Sequence, residues 1–223
     1  MERHFTEELK ELRERLLYMA SVAEGMIHQS INALVERKED LTKKVFEDED
    51  KINMMHIEVD DRCLKLIALH QPVAQDLRFI ISAIKICSDL ERIGDQTVNI
   101  AQNTIELIKL PQLKPLIDIP RMADITKSMV KGAIDAFVKG DVELARVVIL
   151  KDDEVDNLKD QIFRELLTYM ISDPASIQRA LALILVARNL ERISDHATNI
   201  AEDVIYMIVG KDIRHHIEER KPS

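Results

Sequence analysis

The sequence predicts an all-α protein made of two tandem, structurally similar three-helix bundles. Only 5 of its 223 residues are glycine and 6 are proline, tryptophan is absent and aromatic residues make up 4%. That composition is poor in the turn and aromatic residues that sheet proteins use. Apolar residues recur at helical spacings along most of the chain, and the two halves carry the same residues in register. These three observations together predict six long helices and an internal duplication.

The first two helices are predicted by seams of apolar residues that alternate spacings of three and four, as packed bundle helices do. Residues 36–40 form a polar run that ends the first seam, and Pro72 ends the second because proline fits only the first turn of a helix. A third helix is expected from about Val73 to Ile108. The first seam consists of Phe5, Leu9, Leu12, Leu16, Met19, Ala23, Met26 and Ser30, and the second of Val45, Ile52, Met55, Val59, Leu66 and Leu69.

A proline-rich segment separates the halves. Residues 110–120 contain three prolines in eleven positions and are predicted to be a linker. The fourth helix is expected to begin near Arg121 and to stop at Gly140, because glycine adopts a left-handed backbone at little cost. Asp141 is the predicted N-cap of the fifth helix.

The sixth helix is expected to start with Asp173 as N-cap and Pro174 in the first helical position, and to end at Gly210. The remaining polar tail, with its two adjacent histidines at 215 and 216, is expected to be solvated and frayed. The predicted division is a first repeat over 1–109, a linker over 110–120, a second repeat over 121–210 and a tail over 211–223.

The duplication is visible in residues that helix packing does not require. Residues 90–101 align with residues 190–201 at an offset of 100, and eight of the twelve positions are identical. Similar heptads would explain shared apolar positions, but not Glu, Arg, Asp and Asn in the same register. Upstream, at an offset of 103, Ile31, Ala33, Val35, Leu41, Val45 and Asp50 match Ile134, Ala136, Val138, Leu144, Val148 and Asp153.

Composition and motifs exclude several classes of function. The net charge of −9 disfavours a nucleic-acid binder, since phosphate contacts need clustered Lys and Arg. Cys63 and Cys87 form no CxxC pair and are expected to be buried, reduced thiols. The acidic N-terminus and the absence of an apolar run of about 20 residues favour a soluble cytoplasmic protein. No Gly-rich phosphate loop, nucleophile elbow or HExxH helix is present, so no enzyme activity is expected.

Carboxylates spaced four residues apart form a stripe in each repeat. Residues at this spacing share one helix face, and like charges there cost an isolated helix roughly 0.2–0.5 kcal/mol. A stripe present in both repeats therefore indicates that something neutralises it. The stripes comprise Glu91, Asp95 and Asn99 in the first repeat and Glu191, Asp195 and Asn199 in the second, and the preceding helices add Glu49 with Asn53 and Asp152 with Asp156.

Spacing alone leaves two interpretations open. Clustered carboxylates suit hard cations such as iron, manganese, magnesium or calcium, whereas zinc usually takes Cys or His and only His196 adjoins a stripe. Alternatively, the stripes are salt-bridged surface. The arginines placed to neutralise them locally are Arg92 for Asp95, Arg192 for Asp195 and Arg188 for Glu191.

The duplicated segment Leu-Glu-Arg-Ile-x-Asp, followed by Asn-Ile-Ala, resembles the PhoU family of phosphate-signalling regulators, over a span from about Leu9 to Val209. The resemblance implies that an E(D)xxxD motif in each repeat binds a multinuclear metal cluster, of iron or alternatively manganese, zinc or magnesium. Three of the four pairs match that motif. The pair Glu49–Asn53 departs from it with an amide, so the first cluster is expected to be weaker or to lack a ligand.

The resemblance also implies a function without catalysis. A protein of this family would be cytoplasmic and would associate with the membrane only through partners, the ATPase subunit of a phosphate ABC transporter and a phosphate-responsive sensor histidine kinase. It would hold the phosphate-starvation response off when phosphate is plentiful. Self-association remains open, and so do two alternative functions, a carboxylate-ligated metal-dependent enzyme and a purely structural helical spacer.

Overall fold

The computed structural model describes residues 2–213, with side chains from residue 4 onward. This part of the chain forms six α-helices and no strand, which confirms the predicted all-α, duplicated architecture. None of these helices is both long enough and apolar enough to span a membrane. The helices are α1 (Glu2–Glu36), α2 (Asp40–His70), α3 (Ala74–Ile108), α4 (Asp118–Lys139), α5 (Val142–Ser172) and α6 (Ile177–Val209), with a 3-10 helix (Pro174–Ser176) before α6.

Most helix ends lie where the capping residues indicated. Gly140 ends α4 with a φ of 64°, and its N–H donates to the carbonyl of Ala136. The carboxylate of Asp141 accepts a hydrogen bond from the N–H of Leu144 at 3.0 Å and so caps α5. Gly210 ends α6, also in the left-handed region. These ends confirm the turns that separate the helices of the second unit.

Two helices begin at residues other than those expected. α4 starts at Asp118, three residues before Arg121, and Pro120 lies in its first turn. Proline is tolerated there because the first N–H groups of a helix have no intrahelical acceptor. Asp173 is an N-cap as predicted, but Pro174 opens the 3-10 turn, so α6 itself begins at Ile177.

Two apolar residues contradict the predicted burial. Leu69 is 74% exposed although it was placed on the second seam. The inward position is taken by His70, whose ring centroid lies 4.7 Å from that of Phe5 and whose Nε2 lies 2.7 Å from a carboxylate oxygen of Glu8. Ile213 is buried although the tail was predicted to be polar and frayed. The histidines at 215 and 216 lie outside the described residues.

Each unit is a three-helix bundle in which every helix packs against the other two. The first unit is α1–α3 and the second is α4–α6. The units meet along α3 and α6, which form the most extensive helix–helix contact in the molecule, and α1 also touches α4. One continuous cluster of buried apolar side chains includes residues from all six α-helices. The duplicated units therefore share a core instead of standing apart on the linker.

Polar contacts fix the antiparallel register of α3 against α6. The hydroxyl of Ser82 donates to the backbone carbonyl of Asp203, and Lys85 Nζ lies 2.9 Å from the buried Asp203 carboxylate. The ammonium of Lys85 also lies 5.2 Å from the ring centroid of Tyr206. About one turn beyond Lys85 on α3, the carboxylate of Asp89 contacts the ring of His196. These contacts hold the two acidic stripes in a set position relative to one another.

The segment between the units is packed and not extended. The guanidinium of Arg37 donates to the carbonyls of Leu107, Ile108 and Leu110 at 2.5–3.2 Å. These acceptors include carbonyls left free at the end of α3. Lys114 forms an ion pair with Glu165 of α5. The first unit and α5 thus both anchor the linker.

Both cysteines are free and fully buried, as expected. Burial raises the pKa of the Cys63 thiol to about 12 and raises the pKa of Cys87 further. Because the thiolate is the reactive form of cysteine, these side chains serve as small apolar core groups.

Candidate functional site

The second unit brings four carboxylates to one face, two from each helix of the α5–α6 hairpin. Asp152 and Asp156 lie on α5, and Glu191 and Asp195 lie on α6. The opposite sides of both helices are buried in the core, and this burial fixes their rotation. The inward residues include Val155 and Leu158 on α5 and Leu190 and Ile193 on α6.

These carboxylates affect one another electrostatically. Burial, followed by the negative charges of Glu191, Asp152 and Asp156, raises the pKa of Asp195 to about 6. Burial also raises the pKa of Asp152, and the charges of Asp156 and Glu191 add to the effect while a hydrogen bond with Ser194 opposes it. Like charges brought together disfavour ionisation. The face therefore concentrates negative charge more strongly than any single helix would.

A lysine of the chain neutralises part of this charge. Lys159 Nζ lies 2.8 Å from an oxygen of Asp156 and 3.2 Å from an oxygen of Glu191. Hydrogen bonds to these two carboxylates raise the pKa of Lys159, so it remains an ammonium. Over residues 2–213, Asp152 and Asp195 form no ion pair of this kind. The four carboxylates thus divide into a pair that shares the single ammonium of Lys159 and a pair that forms no ion pair with a described residue.

The arginines expected to neutralise the stripes do so only in the first unit. Arg92 lies 3.6 Å from Glu91 and 3.5 Å from Asp95. In the described part of the second unit, neither Arg192–Asp195 nor Arg188–Glu191 forms an ion pair, and both arginines are exposed. Neither ion pair forms as placed, and for Glu191 the reason is that Lys159 reaches across the hairpin and contacts that carboxylate.

The first unit repeats the arrangement with less charge. Burial, followed by the charges of Asp95, Asp50 and Glu91, raises the pKa of Glu49, which places this α2 carboxylate beside the α3 stripe. Asn53 supplies an amide where the second unit has Asp156. His56 stands at the position of Lys159, and its Nε2 lies 3.4 Å from Ser88 Oγ. The first face therefore lacks both one carboxylate and the bridging lysine.

The asparagines that continue the stripes are arranged differently in the two units. Asn199 Nδ2 lies 3.3 Å from Asp89 Oδ1, and His196 Nδ1 lies 2.8 Å from the same oxygen. The Asn199 amide is therefore engaged by α3 of the other unit. Asn99 and Asn53 are half-buried on the first face.

Sequence reasoning missed Lys159 and Asp89 for different reasons. Lys159 could have been found from the sequence, because it follows Asp156 by three residues and this spacing places both side chains on one helix face. The pairing of Asp89 with His196 depends on how α3 packs against α6, which no local pattern encodes.

The donor atoms suit a hard cation, but they are not preassembled around one. Within the described range, no three His, Cys, Asp or Glu side chains come close enough together to hold a metal ion. Asp152 and Asp195, which form no ion pair with a described residue, nevertheless line an open cavity of about 560 Å³. The buried polar atoms Gln96 Oε1 and Thr198 Oγ1 belong to residues lining the same cavity, and neither has a hydrogen-bond partner over residues 2–213. Oxygen donors of these kinds are what iron, manganese and magnesium bind.

In metal-free protein, Asp195→Asn is expected to raise stability at pH 7.5 and to leave it nearly unchanged at pH 4. The pKa of Asp195 in the folded state is about 6, above its ordinary value, so the native state binds more protons than the unfolded chain between pH 4 and 6. Its ionisation destabilises the fold increasingly as pH rises through that range. The side chain still reaches solvent, so the gain at pH 7.5 should be about 1 kcal/mol. Urea denaturation of wild type and Asp195→Asn at both pH values measures the difference in their free energies of unfolding. An equal difference at pH 4 and at pH 7.5 would contradict this explanation.

The fold and the site define a class of protein: a duplicated three-helix bundle with a carboxylate-rich face in each unit. The chain belongs to the PhoU family, since the model of the PhoU domain matches residues 16–104 and 119–204. It is 43% identical to an Aquifex aeolicus phosphate-specific transport system accessory protein PhoU homolog, over 96% of this chain and 97% of the relative. It is 41% identical to a Pseudomonas putida homolog of the same description, over 95% of this chain and 83% of the relative.

Solved structures agree with this membership. The crystal structure of PhoU from Pseudomonas aeruginosa superposes with a TM-score of 0.90 at 39% identity, covering 93% of this chain and all of that one. The phosphate transport system regulatory protein PhoU from Streptococcus pneumoniae gives a TM-score of 0.87 at 27% identity, covering 93% and 98%. The similarity therefore extends over both units and the packing between them.

Proposed function

We propose that this chain is a regulatory adaptor of phosphate uptake that holds the phosphate-starvation response off when phosphate is plentiful. The observation that carries the proposal is the 43% identity, over nearly the full length of both chains, to a phosphate-specific transport system accessory protein. Its proposed partners are the ATPase subunit of a phosphate ABC transporter and a phosphate-responsive sensor histidine kinase. The proposed location is the cytoplasm, with contact to the membrane only through these partners.

The architecture supports binding rather than catalysis as the mode of action. A rigid core that spans both units presents long helix faces whose charges are fixed by packing. Helix faces bind partners through shape, apolar anchors and charge complementarity. An adaptor of this kind acts by changing which surfaces of the transporter and the kinase meet, so it needs no nucleophile.

Deletion of the gene tests the adaptor function. A phosphate-starvation reporter in the deletion strain should become active at high phosphate, and the intact gene supplied in trans should restore repression. A reporter that stays silent at high phosphate in the deletion strain would refute the proposal. Phosphatase or oxidase turnover by purified protein that disappears with Asp195→Ala would favour an enzyme instead.

We also propose that the acidic face of the second unit binds a hard cation, iron or manganese, as the family resemblance implies and as oxygen donors allow. Asp152 and Asp195 would be the first ligands because no ion pair occupies them among the described residues. Asp156 and Glu191 would join if Lys159 released them. The bound ion would neutralise Asp152 and Asp195, which Lys159 does not contact, and so order this face for a partner.

Elemental analysis of protein purified without a chelator or a metal-affinity tag tests the metal site. Wild-type protein should carry iron or manganese that Asp152→Ala/Asp195→Ala loses and that the adjacent control Asp153→Ala retains. Lys159→Met should increase the metal bound, because it frees two further carboxylates. If Lys159→Met leaves the metal content unchanged and the double variant matches wild type, the face is a salt-bridged surface and not a metal site.

A further inference from the structure

The open cavity beside Asp152 and Asp195 is formed by both units. Gln96 of α3 lines it together with side chains of α5 and α6. Gln96 belongs to the first unit, whereas every other residue that lines the cavity belongs to the second. The cavity therefore lies at the junction of the two units and not within the second unit alone.

Two neutral oxygen atoms of the residues lining this cavity have no hydrogen-bond partner over residues 2–213. They are Gln96 Oε1 and Thr198 Oγ1, and their residues are only 8% and 9% exposed. A buried polar atom without a partner destabilises a fold, so native proteins contain few of them. A cation, or a hydrogen-bond donor such as water, would satisfy both oxygens.

The duplication shows that the three-helix fold does not require these two oxygens. At the offset of 100, Gln96 matches His196, whose ring has a partner in Asp89. Thr198 matches Val98, an apolar side chain that is buried to the same extent. Helix packing common to both units therefore accounts for neither oxygen, and both are specific to this cavity.

The charges that line the cavity favour a cation. Asp152 and Asp195 form no ion pair with a described residue, and Glu202 adds a third carboxylate to the lining. Arg192 also lines the cavity, but it is exposed and forms no ion pair with these carboxylates. His196 is held by Asp89. Negative charge thus exceeds positive charge around the two neutral oxygens.

The carboxylates alone do not surround an ion. In the part of the chain that the structure describes, no three His, Cys, Asp or Glu side chains approach closely enough to hold one. Hard divalent cations take about six oxygen ligands, and amide carbonyl oxygens serve as well as carboxylates. Ligands beyond the acidic residues are therefore needed, and the junction supplies two neutral oxygens.

We propose that the cation bound by Asp152 and Asp195 is also coordinated by Gln96 Oε1, so that one ion joins the two units across the α3–α6 contact. Thr198 Oγ1 is the second neutral donor. Metal occupancy would then strengthen the contact between the units as well as neutralise the acidic face. The inference rests on the proposed metal binding and adds to it a ligand from the first unit.

Calorimetric titration of chelator-treated, full-length protein with Mn²⁺ tests the shared ion. Gln96→Leu should weaken Mn²⁺ binding about tenfold, because a ligand is lost. Gln96→Glu, which keeps a side-chain oxygen at this position, should bind Mn²⁺ at least as tightly as wild type. Thr198→Val, which introduces the residue found in the first unit, should weaken binding by a smaller factor. The control Gln102→Leu, at an exposed glutamine of the same helix, should leave it unchanged.

Water proton relaxation by bound Mn²⁺ distinguishes a lost ligand from disturbed packing. Water should fill the coordination position that Gln96→Leu vacates, so the relaxivity per bound ion should rise in this variant and not in Gln102→Leu. If Asp152→Ala/Asp195→Ala abolishes binding while Gln96→Leu changes neither affinity nor relaxivity, this inference fails alone, and the Gln96 oxygen is satisfied by water. Wild-type protein that binds no Mn²⁺ would overturn both this inference and the proposed metal site.

Discussion

Leu190→Ala should lower the free energy of unfolding by about 2–5 kcal/mol, because its side chain is fully buried and its truncation leaves a cavity in the core. The duplication supplies a matched variant. Leu90 occupies the equivalent position of the first unit and is equally buried, so Leu90→Ala should cost a similar amount. Each change removes most of a fully buried side chain, on α3 or on α6.

Both variants should shift one single unfolding transition, although they lie in different units. The apolar core is continuous across α3 and α6, so loss of packing in either unit destabilises the whole. Urea denaturation followed by circular dichroism, with calorimetry, measures this. Leu64→Ala, at a position 65% exposed, is the control and should stay within about 0.5 kcal/mol. Two transitions, of which Leu90→Ala moves only one, would show that the units unfold independently.

The helices were predictable from the sequence because their signals are local. Caps such as Asp141 and Gly140 satisfy backbone groups within four residues, and the apolar seams require only the 3.6-residue period. The duplication was predictable because the repeated segments keep charged residues that packing alone would not require. Leu69 was misplaced because a step of three or of four from Leu66 both fit a heptad, and His70 took the inward position.

The contacts between helices were not predictable by the same reasoning. Lys159 and His56 occupy equivalent positions, yet one bridges two carboxylates and the other lies beside Ser88. That difference decides how much charge each acidic face retains. Likewise, Asp89 and Asp203 find their partners only because α3 and α6 pack antiparallel in one register. The sequence shows the carboxylates, while the tertiary packing determines which of them have a cation.

Lys85→Met should lower the free energy of unfolding by about 3 kcal/mol, because it removes the ammonium that faces the buried carboxylate of Asp203. The Asp203 side chain is only 8% exposed, so water replaces the lost Lys85 contact poorly. Removing the carboxylate instead of the ammonium should lower the free energy of unfolding by less. Lys85 is one-third exposed, so in Asp203→Asn its ammonium can turn to solvent, and the expected cost is about 1 kcal/mol.

The double variant separates the ion pair from the rest of the interface. Lys85→Met/Asp203→Asn should be more stable than Lys85→Met alone, because the buried carboxylate that Lys85 contacts is then replaced by a neutral amide. Urea denaturation of the four proteins gives the coupling energy, which should favour the native pair by about 1–3 kcal/mol. Additive effects would mean that Lys85 stabilises the α3–α6 contact through its packing on Tyr206 and not through Asp203.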